Sequence, residues 1–359
     1  MSKLKVGILY GGRSVEHGVS INSAKNISEY IDKERFEIYL IGITTTGIWY
    51  RTTSVTKDIV SGQPLKMELN GQQPTFETAS GGQFQLDIAF PVLHGTDGED
   101  GSIQGLLKAM GIAMVGTGVL GSAMAMSKLV AKQVMAQAGL PVTKFLQFTF
   151  DQKDAIDFES VKNQIGLPLM VKAANLGSSV GVSKVSDKAS FAKAVEDSFR
   201  YDDSILLEEY VTGREIECAI LGNHPAEASL PGEIIISDAY EFYSFDAKYV
   251  DGNAVKIAVP ATLDKAISDE IRALSIKAYQ VLHCEDFSRV DLFVTKDGKI
   301  FINEINTIPG FTNSSMFPMM WKERGVSFTQ LITRLIDLGL ERHARAKRTE
   351  KDFQSALKF

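Results

Sequence analysis

Two carboxylates and an amide towards the C-terminal end carry the sharpest chemical signal in this chain. Asp297-Gly298 stands between two apolar runs, Arg289 to Thr295 and Lys299 to Asn306, which is the pattern of a two-residue β-hairpin turn. That register sets Asp291 opposite Glu304 and Arg289 opposite Asn306, and the two-residue side-chain period puts all four on one sheet face. Directly opposed carboxylates repel unless positive charge lies between them. Either Arg289 and solvent neutralise the face, or a divalent cation occupies it. Asp291, Glu304 and Asn306 offer hard oxygen ligands suited to magnesium that retains water and phosphate oxygens. Upstream, Lys172 ends an apolar strand and precedes a loop of Asn175, Leu176, Gly177, Ser178 and Ser179. Backbone N–H groups of such a loop can cradle phosphate while the ammonium neutralises charge. Alone, the string also describes an ordinary hairpin loop with a solvated lysine. Beside a magnesium-type carboxylate set it points to a nucleotide.

A third pattern points elsewhere. Gly116, Gly118 and Gly121 spell GxGxxG after a strand-like run, as in dinucleotide-binding turns. No Asp, Glu or Arg occurs from Gly101 to Phe150, so the groups that would read a ribose or its phosphate are absent, and an NAD or NADP reading fails. The same stretch carries Lys108, Lys128, Lys132 and Lys144, a positive bias compatible with an anion site. None of His17, His94, His224, His283 and His343 has metal-ligand spacing. His94 is set apart because it ends a strand and opens a glycine-rich turn, at the carboxyl edge where α/β sheets bind ligands.

The elements that must position these groups follow from hydrophobic periodicity. Lys5 to Tyr10, Tyr39 to Ile43, Leu86 to Leu93 and Ile112 to Val115 read as strands, with helices over Ser14 to Ile31 and Ile103 to Met110: an α/β unit with a mostly parallel sheet, interrupted by a polar peripheral insertion from Thr52 to Gln85. Ser127 is placed to cap a helix from Lys128 to Ala138 that stops at Gly139. Strands Leu169 to Lys172, Val180 to Val185 and Ile205 to Leu207, with a helix from Lys188 to Ser198, form a small α+β unit. A strand-rich segment follows, with strands Glu215 to Leu221, Glu233 to Ile236 and Val255 to Val259 before the hairpin, and flanking helices Leu263 to Leu282 and Thr329 to Leu340. Boundaries fall at 1–126, 127–213, 214–345 and a tail 346–359, and the basic run from Arg342 to Arg348 reads as a solvated helix end.

The whole-chain properties agree with a globular small-ligand protein. The 359 residues are 44% hydrophobic, and the formal net charge of −6 argues against a general nucleic-acid or anionic-membrane binder. Cys218 and Cys284 show no CxxC spacing and read as buried free thiols in a reducing compartment. There is neither a secretory leader nor an apolar run of membrane-spanning length, so the expected location is cytoplasmic.

Four strings in order, Tyr10 to Ser20 (YGGRSVEHGVS), Leu93 to Gly101 (LHGTDGEDG), Ala174 to Gly181 (ANLGSSVG) and Asn303 to Gly310 (NEINTIPG), resemble the D-alanine:D-alanine ligase family of the ATP-grasp superfamily. The resemblance runs from the first strand to about Leu340. It implies a three-domain ATP-grasp fold with a Rossmann-like N-terminal domain, a homodimer, and ATP-dependent joining of two D-alanines through a D-alanyl phosphate for peptidoglycan precursors. It places Lys128, Lys172 and Ser179 on ATP phosphates, Lys248 at the γ-phosphate, Glu208 and the Val211 backbone at the adenine, and Glu215 at the ribose. Asp291, Glu304 and Asn306 would hold two magnesium ions, with manganese an alternative. Glu16 would bind the first D-alanine's ammonium, His94 would lie near its carboxylate, and Ser315 with the Met316 backbone would hold the second carboxylate. Arg289 and the Gly310 N–H would stabilise the oxyanion, and Ser178 and Tyr249 would form a hydrogen-bonded group with Glu16. Gly18 and Ala173 depart from the family's usual residues. Rival functions are a ligase using D-serine or D-lactate as acceptor, and a silent nucleotide-binding regulator.

Overall fold

The computed structural model describes residues 2–68, 74–177, 181–237 and 255–349. Three sheets organise it. The first runs in the order Gln83–Phe84, Thr75–Thr78, Gln63–Glu68, Trp49–Thr52, Phe36–Ile43, Leu4–Gly11, Ile88–Pro91, Ala113–Met114. Its last four strands are parallel, as the β-helix-β alternation requires. Trp49–Thr52 and the three strands Gln63–Glu68, Thr75–Thr78 and Gln83–Phe84 supplied by the segment read as a peripheral insertion extend one edge antiparallel and make the sheet mixed. Helix His17–Tyr30 follows the first strand.

The second sheet is antiparallel, in the order Val182–Val185, Leu169–Ala173, Ser204–Glu209, Phe145–Thr149, and helices Phe158–Ile165 and Lys188–Phe199 bury their apolar faces on it. Helix Lys128–Gln137 leads into this sheet, with Ser127 Oγ accepting from the Val130 N–H as its cap and Gly139 at φ +72° ending it. The third sheet runs Val255–Ala258, Gly232–Ile236, Gly213–Leu221, Phe287–Thr295, Ile300–Asn306, with Glu227–Ala228 paired outside that path. Helix Lys265–Val281 covers one face; the other faces the second sheet across the cavity described below.

Helix Phe328–Ala346, capped by Ser327 and Gln330, does not stay with the third sheet. Its Leu331, Ile332, Leu335 and Ile336 join the core of Val6, Ile8, Ile88 and Phe90 on the first sheet. This docking corrects the reading of the basic end as solvated at Arg342, while Lys347 and Arg348 are exposed as expected. Arg342 is largely buried, and its Nη2 donates to the carbonyls of Met114 (2.9 Å) and Gly116 (2.6 Å) and to Asp286 Oδ2 (3.1 Å). Asp286, with no exposure, also accepts from the Gly116 N–H (2.9 Å) and from Asn223 Nδ2 (3.0 Å).

The GxGxxG string therefore serves a joint between the first and third sheets. Gly116 has φ +98°, and a Cβ on Gly121 would come within 2.3 Å of the His283 carbonyl oxygen, so glycine allows the close approach. Arg342→Met should lower unfolding stability by about 2 kcal/mol, because it strips a buried carboxylate of its cation while leaving two donors in place. Urea denaturation checks this; a loss under about 0.5 kcal/mol, the scale of a surface change, would show that Arg342 does not hold the joint together.

Candidate active site

The hairpin brings the predicted pairs together by an unexpected route. The turn is one residue longer than read: Gly298 adopts φ +80°, its N–H bonds to the Thr295 carbonyl, and Val294 pairs with Ile300 and Phe293 with Phe301. A bulge between Asp291 and Leu292 then absorbs Asn303 on the returning strand. Beyond it Asp291 lies opposite Glu304 and Arg289 opposite Asn306. Without the bulge, Glu304 would align with Val290 and turn to the core face. The extra residue is used: Asn303 Oδ1 accepts from Lys172 Nζ at 3.3 Å.

On the other side of the same strand, Glu217 pairs with Asp291, so Glu217, Asp291 and Glu304 stand abreast on three strands. Arg289 is the cation among them. Its Nε lies 2.7 Å from Asp291 Oδ1 and 3.0 Å from Glu217 Oε2, and its Nη2 donates to Asp291 Oδ2 at 2.7 Å. Lys128 Nζ approaches Glu304 Oε2 at 3.3 Å from the other end of the row and donates to the Leu176 carbonyl. Asn306 Oδ1 is buried without a hydrogen-bond partner among the described residues. An orphaned hard oxygen beside two opposed carboxylates fits a divalent cation. Among the described residues no set of three His, Cys, Asp or Glu side chains is grouped for a metal, so the donor set is two carboxylates and the amide.

Behind Lys172 lies a buried ion cluster. Glu208 ion-pairs with Lys132 Nζ at 2.5 Å on one oxygen and with Lys172 Nζ at 2.6 Å on the other, while the Thr143 hydroxyl donates to Glu208 and accepts from Lys132. Burial alone would raise the Glu208 pKa, but the two ammoniums overturn that and hold it far below the ordinary carboxylate range. Burial, with the charge of Lys172 adding to it, draws the Lys132 pKa down against the attraction of Glu208. Two ammoniums share one carboxylate, so the cluster keeps net positive charge where a polyanion would relieve it.

These groups line two adjoining cavities. One of about 400 Å³ lies between the second and third sheets and is lined by Lys128, Lys172, Glu208, Val211, Glu215 and Asp291 among others. The other, about 320 Å³, is lined by Glu16, His94, Asn306, Gly310, Ser315 and Met316 among others. Lys128, Glu217, Arg289 and Glu304 face both. Glu16 precedes helix His17–Tyr30, against Gly95, whose missing Cβ would stand 2.6 Å from Glu16 Oε2. Ser315 precedes helix Met316–Glu323, whose N-terminal amides favour a carboxylate. The site residues read from the sequence thus fall into two groups that meet at one wall. Ser178, Ser179, Lys248 and Tyr249 lie outside the described residues.

Residues 5–117 match the family model described as D-ala D-ala ligase N-terminus, and residues 134–337 match the one described as D-ala D-ala ligase C-terminus. The chain belongs to the D-alanine–D-alanine ligase family. A ligase of that name from Shouchella clausii is 46% identical over 97% of both chains. Among solved structures, the D-alanine-D-alanine ligase of Coxiella burnetii superimposes with a TM-score of 0.86 at 35% identity, covering 97% of both chains. The VanG D-Ala:D-Ser ligase of Enterococcus faecalis gives 0.85 at 34% identity, covering 94% of this chain and all of that one.

Within this ligase-family frame, three groups of the site were not assigned a role from sequence. Lys132 appeared only as part of a positive bias, although it lies one helical turn from Lys128 and shares its face. Glu217 follows Glu215 by two residues on one strand, a period-two signal that could have found it. Glu99 sits inside the glycine-rich string after His94 and is a buried carboxyl with its pKa raised to about 8, first by burial and then by Glu16. The departure at Gly18 is mild: nothing lies within 4 Å of a Cβ built there, and its cost is about the 1 kcal/mol of a glycine in a helix. The two thiols are buried as expected, and burial pushes Cys218 up to about 11.

Proposed function

We propose that this chain uses ATP to join two D-alanines into D-alanyl-D-alanine for peptidoglycan precursors, through a D-alanyl phosphate. The observation that carries the reading is the wall of Lys128, Arg289 and Glu304 shared by both cavities. A nucleotide in one and an amino-acid carboxylate in the other would meet there. Lys128 and Lys172 then face the phosphates, with Lys132 and Glu208 behind them. Glu208 has one of about four acceptor positions left for the adenine amino group, Val211 offers its backbone, and Glu215 reaches the ribose. Asp291, Glu304 and Asn306 would hold magnesium, as two ions, with manganese able to substitute. When bound, it neutralises charge on the transferring phosphoryl group.

The rest is the work of the chain's own groups. Glu16 holds the ammonium of the first D-alanine, whose carboxylate oxygen attacks the γ-phosphorus as ADP leaves. Ser315 and the Met316 N–H hold the second D-alanine's carboxylate while its ammonium gives up a proton along Ser178 and Tyr249, and the freed amine attacks the acyl carbonyl as phosphate departs. Arg289 and the Gly310 N–H take the oxyanion charge. Ser178 and Tyr249 are assigned the orientation of that amine with Glu16, Ser179 a phosphate contact and Lys248 the γ-phosphate, on family resemblance. A homodimer belongs to the same proposal, and among the described residues no helix is long and apolar enough to cross a membrane.

Phosphate release from ATP with D-alanine, D-serine, D-lactate or L-alanine tests the reading. D-alanine alone should support turnover and yield the dipeptide. Turnover that requires D-serine or D-lactate in addition would reassign the acceptor, and none with any substrate would leave a nucleotide-binding protein. Lys172→Ala should raise the KM for ATP or lower kcat by about tenfold, the effect of losing roughly 1.4 kcal/mol of charge pairing, with a smaller change for D-alanine. Unchanged ATP kinetics would remove Lys172 from the nucleotide site.

A further inference from the structure

The backbone on both sides of Gly310 is gripped by three side chains that begin on the first sheet's side of the cavity. The Ile308 carbonyl accepts from His94 Nδ1 at 2.8 Å, and the Ile308 N–H donates to Glu99 Oε1 at 3.0 Å. Glu99 Oε2 accepts from the Gly95 N–H at 2.7 Å, tying the same carboxyl to the turn that follows His94. Phe311, the next residue after Gly310, donates its N–H to Ser23 Oγ at 3.2 Å, and Ser23 Oγ lies 3.0 Å from His94 Nε2. Ser23 and His94 are 0% and 4% exposed, and Glu99 9%.

With a neutral His94 ring, hydrogen-bond chemistry allows one proton arrangement along these groups. A carbonyl oxygen only accepts, so His94 Nδ1 carries the proton. In the neutral ring Nε2 is then an acceptor of a hydrogen bond from the Ser23 hydroxyl, which leaves the Ser23 oxygen to accept from the Phe311 N–H. Burial lowers the His94 pKa against the attraction of Glu16, in keeping with a neutral ring. Both nitrogens are committed, so no N–H of His94 is left for a substrate carboxylate.

We infer that Ser23, His94 and Glu99 are positioning residues: they clamp Ile308 and Phe311 so that the Gly310 N–H between them is aimed at the oxyanion formed when the amine attacks. The inference rests on the role given to Gly310 under the proposed function. It moves His94 from substrate contact to control of loop geometry. A catalytic donor misplaced by a fraction of an ångström loses most of its differential effect on the transition state, so three buried side chains on one short loop have a functional reason as well as a structural one.

Three measurements test the clamp. Nitrogen-15 shifts of the His94 ring in the unmodified protein should show Nδ1 protonated and Nε2 bare at neutral pH; an Nε2–H tautomer would overturn the chain. Ser23→Ala should speed hydrogen exchange at the Phe311 amide by about tenfold or more while Val6 and Ile8 stay protected, and Glu99→Gln, which replaces one acceptor oxygen by a donor, should do the same at Ile308 or Gly95. Unchanged exchange in both variants would overturn it.

With ATP and D-alanine, Ser23→Ala should lower dipeptide formation about tenfold, with the KM for ATP unchanged and hydroxylamine-trapped acyl phosphate retained within about twofold. Equal loss of trapped acyl phosphate and dipeptide would make Ser23 a merely structural residue. If the unmodified protein makes no dipeptide, the proposed function falls, while tautomer and amide exchange still decide the clamp.

Discussion

Asp291→Asn and Glu304→Gln should each reduce D-alanyl-D-alanine formation by about a thousandfold, the scale of losing a principal electrostatic stabiliser, while the protein stays folded. Each substitution keeps the shape and removes one charge from a row in which Glu217, Asp291 and Glu304 stand directly abreast. Like charges opposed across strands are destabilising, so losing one relieves repulsion and offsets the weakened pairing to Arg289 or Lys128. Folding stability should therefore change by less than about 1 kcal/mol. Activity falls for a different reason: a neutral amide oxygen cannot offer a divalent cation the charge that a carboxylate does. Phosphate release and thermal unfolding on the same samples separate the two effects. Near-normal turnover at ordinary magnesium concentration in both variants would remove the metal assignment, and loss of folding would show that the row is mainly structural.

Lys132→Met should cost about 3 kcal/mol of unfolding stability, because it removes one of the two cations that compensate the buried Glu208 and leaves Lys172 as the remaining one. Lys132 and Glu208 have side chains 1% and 2% exposed, and methionine keeps the bulk but supplies no donor to Glu208 or Thr143. The pH dependence has a definite sign. Glu208 is held ionised far below its ordinary value of 4.5, so the stability it contributes is present above that pH and is lost as pH falls towards its folded pKa. The two proteins should differ most near neutrality and converge in acid, where protonating Glu208 relieves the variant. The KM for ATP should also rise, since Lys172, already 2.6 Å from Glu208, would be left as its remaining cation and be less available to phosphates. Urea titrations from about pH 3 to 7, spanning the carboxylate range, provide the test; a constant difference between the two proteins would mean that the cluster does not act through Glu208.

The opposed pairs Asp291 with Glu304 and Arg289 with Asn306 were legible in the sequence, yet for an incomplete reason. The two-residue turn assumed there is one residue too short, and the bulge at Asn303 restores the alignment. Turn length follows from local backbone energetics that Asp-Gly favours in more than one form. The bulge puts Asn303 where its Oδ1 accepts from Lys172 on another sheet, a contact that no local pattern encodes. The GxGxxG string failed as a nucleotide signature for a related reason: glycine spacing records only that something approaches the backbone closely. Here it is the turn holding His283 and Asp286.

Local chemistry thus determined a good deal by itself. Hydrophobic periodicity set most strands and helices, the Ser127 cap and Gly139 bounded one helix, and the order of four motifs identified the family. Those features depend on neighbours within a few residues, and their physics is contained in the string. Tertiary structure alone decided that Arg342 is a buried joint and not a solvated tail, that Lys132 and Lys172 share Glu208, and that His94 spends both ring nitrogens on the loop of Ile308 and on Ser23. Each of these depends on desolvation, which turns a charge or an imidazole into an obligation to find partners. Which partners are within reach is set by how the three sheets pack.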